Sequence, residues 1–115
     1  MAQRTGQMLV VNASSQSITG TAWHRSGDGS NAISSPQPPL QVNLPSFAAN
    51  NLPYSNQIQI RSDHDDYWLW QPQNSTKQYQ VKQNLKASSV GACLVITDTE
   101  VVVVTSDNGV GSTNL

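Results

Sequence analysis

A chain of 115 residues, 37% hydrophobic and only 11% charged, forms one domain spanning residues 1–115, with one modest core. Its net charge of -1 and its scattered basic residues exclude the clustered Lys and Arg that nucleic-acid phosphates or an anionic membrane require. A single cysteine, Cys93, excludes an internal disulfide framework.

Neutral polar residues replace the missing charge: Asn, Gln, Ser and Thr make up 45 of the 115 positions. Disordered chains are low in hydrophobicity but rich in charge, so this composition fits the polar surface of a folded sheet. Residues 1–7 contain no apolar core of a signal peptide. The expectation is therefore a cytoplasmic or non-classically secreted protein. No apolar run is long enough for a transmembrane segment. Asn12-Ala13-Ser14 and Asn74-Ser75-Thr76 match glycosylation sequons but read more simply as polar turns.

No stretch carries a sustained helical period. Strand patterns recur instead. Residues 8–12 are the first, and 14–16 turn the chain. Residues 17–24 alternate, with Ile18, Gly20 and Ala22 on one face and Thr19, Thr21 and Trp23 on the other. Residues 25–31, with Ser-Gly and Asp-Gly steps, form a loop, and Pro36, Pro38 and Pro39 prolong it. Strands follow at 40–44, 57–61, 67–71 and 78–82.

Residues 93–97 and 101–105 are nearly continuous apolar runs, the pattern of strands covered on both sides. That reading puts Val95 and Val103 in the core and makes Cys93 a buried, inert thiol. Asp98-Thr99 makes a hairpin between the runs, and residues 106–111 read as a turn leading into a loose tail. About eight short strands without a helix predict an all-β fold: an antiparallel β-sandwich, with a closed barrel as the alternative.

Recognition-type side chains concentrate in residues 63–71. Asp63, Asp65 and Asp66 are hard oxygen donors of the kind Ca2+ takes, although the spacing is not an EF-hand and a solvated hairpin turn explains them as well. Trp68 and Trp70 share a strand face with Asp66 and His64, and Tyr67 and Leu69 share the other. With Tyr67 and Leu69 inside, the two indoles would form an exposed stacking platform for the apolar face of a sugar, flanked by hydrogen-bonding side chains. With Trp68 and Trp70 inside, they are the centre of the core. Trp23-His24 repeats the arrangement in small.

Enzyme constellations are thin. Neither His24 nor His64 stands in a metal spacing, and no nucleophile-elbow motif occurs. In size, low charge and neutral polar surface the chain resembles small microbial lectins. The sequence thus points to a non-enzymatic domain without a required cofactor, binding a glycan through Trp68, Trp70, Asp66, His64, Trp23 and His24. Weak single sugar sites would favour a homo-oligomer. The rival readings are a cytolysin-like sandwich that binds lipid headgroups through its aromatic cluster, and a structural domain with its tryptophans buried.

Overall fold

The eight runs expected as strands all form strands. The computed structural model describes residues 3–27, 33–34, 40–49, 56–61, 65–86, 91–106 and 108–115. Among them are β1 (Gln3–Asn12), β2 (Ile18–Gly27), β3 (Ile33–Ser34), β4 (Leu40–Leu44), β5 (Ala48–Ala49) and β6 (Asn56–Arg61). The second half contributes β7 (Asp65–Pro72), β8 (Tyr79–Lys82), β9 (Gly91–Ile96), β10 (Glu100–Thr105) and β11 (Gly109–Asn114). No helix occurs among the described residues.

The strands form two packed sheets and no closed barrel. Sheet A runs β11-β10-β9-β1, with β5 and β6 sharing the far edge of β1. Sheet B runs β8-β7-β2, with β3 and β4 sharing the far edge of β2. The pairing is antiparallel except between β1 and β9, which run parallel. These two strands are far apart in the chain, so no hairpin dictates their direction. The expected loose tail is instead β11, paired with β10 from Glu100↔Asn114 to Thr105↔Gly109. Its Gly-Ser-Thr-Asn composition hides it from a hydrophobic-pattern reading, because the backbone ladder onto the valine run supplies its pairing.

The acidic stretch is also placed differently from the hairpin expectation. β6 lies in sheet A and β7 in sheet B, so the chain crosses between layers there. Residues 14–16 make a similar crossing, and buried Asn12 anchors it. Its Nδ2 donates to the carbonyls of Gln16, Leu44 and Pro45, and its Oδ1 accepts from the amide and hydroxyl of Ser14. Complete satisfaction makes a buried amide tolerable, and it leaves this sequon asparagine inaccessible in the fold. The exposed Asp98 carboxylate accepts from the Ser15 amide and hydroxyl, both at 2.8 Å, joining the β9–β10 hairpin to the same crossing. Those bonds hold its pKa below the usual carboxylate value.

The inward faces supply the core: Met8, Val10, Leu94, Val101 and Val103 from sheet A, and Ala22, Val42, Trp68, Trp70 and Val81 from sheet B. Val95 is not among them. In β9 the burial alternates, so Val95 and Cys93 point outward and are half-buried. Cys93 is therefore not the fully buried thiol expected from its neighbours, although partial burial still raises its pKa. β7 departs from alternation in the opposite sense. Tyr67 and Leu69, on the outer face, are buried as well as Trp68 and Trp70.

Gly20 shows how closely the layers fit. A Cβ there would meet the Gln71 carbonyl and lie 2.7 Å from the Trp70 indole. Gly20→Ala should therefore destabilise the protein by about 1–3 kcal/mol through overpacking, read as a lowered denaturation midpoint with unchanged m-value. A neutral result would mean that Trp70 does not pack over Gly20.

Candidate functional site

The structure divides the sequence candidates between two surroundings. Asp66, Trp68, Trp70 and His24 all face the space between the sheets and are almost completely buried. Alternation along β2 and β7 puts them on one side, and the register sets His24 opposite Trp68. The ring centroids of these two residues lie 4.7 Å apart, tilted. Trp68 and Trp70 therefore offer no indole face to a ligand, and the exposed platform is not formed. The same burial takes Trp68 and Trp70 out of the aromatic cluster on which the membrane-binding reading rests. The physical reason is area: two indoles are the largest apolar groups available to a core this small.

Asp66 serves an internal polar cluster. Its Oδ1 lies 2.7 Å from His24 Nε2, and its Oδ2 accepts from the Leu85 amide at 2.8 Å. Its own amide donates to Asn84 Oδ1, and Trp68 Nε1 donates to the Gln83 carbonyl. Asn84 and Gln83 are in turn tied to Asn108. These bonds fasten the segment after β8 against β7 and the β10–β11 turn. His24 Nδ1 is buried and makes no hydrogen bond among the described residues.

Of the acidic candidates, Asp65 accepts from Asn84 Nδ2 and lies 3.4 Å from Lys82 Nζ. Adjacent positions on an extended strand send Asp65 and Asp66 to opposite faces. Among the described residues no group of three acidic, His or Cys side chains is placed to hold a metal. Asp63 and His64 lie outside the described residues.

Trp23 is the exception. It is half-buried and faces outward on sheet B, and it borders a groove of about 390 Å3. Thr19 and Thr21 of β2 form the floor, flanked by Gln41 of β4 and Gln71 of β7. The turn of residues 72–75 makes the opposite wall. Three features build that turn. The Gln73 amide donates to the Thr19 carbonyl, Asn74 adopts a φ of 66°, and Gln71 Nε2 donates to the Ser75 carbonyl. Asparagine tolerates this left-handed conformation better than most residues.

Among the described residues no lining side chain is charged. Hydroxyls and carboxamides supply both donors and acceptors, and the Trp23 indole and Pro72 ring supply apolar surface. Such a groove suits a neutral ligand bearing several hydroxyls and one apolar face. Sequence reasoning placed Trp23 and the two threonines on one strand face. It missed Gln41 and Gln71, whose approach depends on pairing across three strands. No protein-family model matches the chain, and no curated protein sequence matches it.

Proposed function

We propose that the protein is a glycan-binding domain that takes a neutral sugar in the groove between Trp23 and the 72–75 turn. The observation that supports this reading is the lining: one half-buried indole among uncharged hydrogen-bonding side chains. A pyranose would stack its apolar face on Trp23 while Gln41, Gln71 and Asn74 bond its hydroxyls. Single sites of this kind are shallow and weak, so affinity would rest on the indole.

Glycan-array screening followed by calorimetry tests it. Trp23→Ala should reduce binding at least about 10-fold, a loss of about 1.4 kcal/mol. Gln41→Ala, at an exposed position, should weaken binding without moving the thermal melt. A folded parent protein that captures no glycan would sink the proposal, as would Trp23→Ala binding as tightly as the parent.

A further inference from the structure

We propose that the outer face of sheet A is a self-association surface, on which a second copy of this chain packs face to face. Register aligns Leu9, Cys93, Val104 and Val110 in one row across β1, β9, β10 and β11. Val11, Val95 and Val102 make the next row. Leu9, Val104 and Val110 are 36%, 40% and 63% exposed. The runs in β9 and β10 carry the pattern of strands covered on both sides, yet the outer side stays open at Leu9, Val104 and Val110.

The identity of the cover follows from the chemistry of the face. Along β9, β10, β11 and residues 7–11 of β1 its outward positions hold no Lys, Arg, Trp or Tyr; Gln7, Thr97, Glu100, Ser112 and Asn114 rim it, and Arg61 of β6 pairs with Gln3 only at the far edge. A lipid-headgroup surface selects for the basic and aromatic residues missing here. A flat, neutral, aliphatic patch is complementary to itself, as a two-fold interface demands. A net charge of -1 leaves little repulsion against association.

Area is sufficient. With about 4.8 Å between strands and about 3.3 Å per residue, four strands of six residues present roughly 400 Å2. Two such faces, with their side-chain relief, remove roughly 1,000 Å2 from water, the size a specific interface has to reach. Two sheets of β-branched side chains stack readily at about 10 Å. Cys93 would lie near the two-fold axis and lose its remaining exposure. The sheet B grooves would stay open on opposite outer surfaces, so association and sugar binding can be measured separately.

Sedimentation equilibrium of the full chain at micromolar concentration should return twice the 12.4 kDa chain mass. Val95→Asp should return the single-chain mass with native circular dichroism. Maleimide labelling of Cys93 should be at least about 10-fold faster in that variant, as expected when burial protects the thiol in the parent. Val104→Lys, at a more exposed site, keeps the test decisive if Val95→Asp does not fold. A folded parent that stays monomeric overturns the proposal. So does a dimer that survives either folded variant, because it would use another face. Monomers that sediment with phosphatidylcholine vesicles through these valines would assign the face to lipid instead.

Discussion

Val103→Asp should yield no folded protein. Val103 is fully buried at the centre of β10, opposite Leu94 of β9. A carboxylate there enters the apolar core cluster that both sheets build. An unpaired buried charge costs several kcal/mol even after relaxation, against a total stability of about 5–15 kcal/mol for a domain of this kind. Protonating the carboxyl would lessen the cost, but it would leave a buried hydroxyl without a partner. The neighbouring strand provides the control, because Val95→Asp places the same group on an outer face and should fold. Solubility, circular dichroism and a cooperative melt check both. A Val103→Asp protein that melts cooperatively near the parent would show that β10 does not line the core.

The second large effect concerns the tryptophans. Trp70→Ala should cost about 3–5 kcal/mol through lost burial and the cavity left between the layers. Trp70 is 2% exposed and packs over Gly20, so the site has little freedom to collapse. Leu69→Ala should also destabilise, by about 2–5 kcal/mol, because Leu69 is buried on the outer face of the same strand. Opposite behaviour at these two positions would follow from a strand with one wet face, and β7 has none. Trp23→Ala should cost less than Trp70→Ala, since its indole is half-exposed and opens no closed cavity. Urea denaturation of the three variants orders them directly. Trp70→Ala melting like the parent would contradict the buried indole pair.

What could be read from residue order follows from local physics. Alternation and short apolar runs located eight strands, because side chains on a strand point to opposite faces, whatever the strand pairs with. It therefore separated Trp23 and the two threonines from Ile18, Gly20 and Ala22 before any partner strand was known, although in sequence Trp23 and His24 still read as one binding edge. Composition excluded a disulfide framework and a clustered basic surface, because both are properties of counts and spacing.

Only the tertiary structure decided which face of each strand is covered. Nothing local distinguishes Val95 from Val103, and both stand in apolar runs. The register of β9 between β1 and β10 turns one outward and the other inward. The cluster of residues 63–71 looked like a recognition surface because sequence shows chemical type and not burial. Packing two sheets gave Trp68 and Trp70 to the core and Asp66 to His24. The groove beside Trp23 needs Gln41 from one neighbouring strand and Gln71 from the other. Those positions are far apart in the chain, and only strand pairing brings them together.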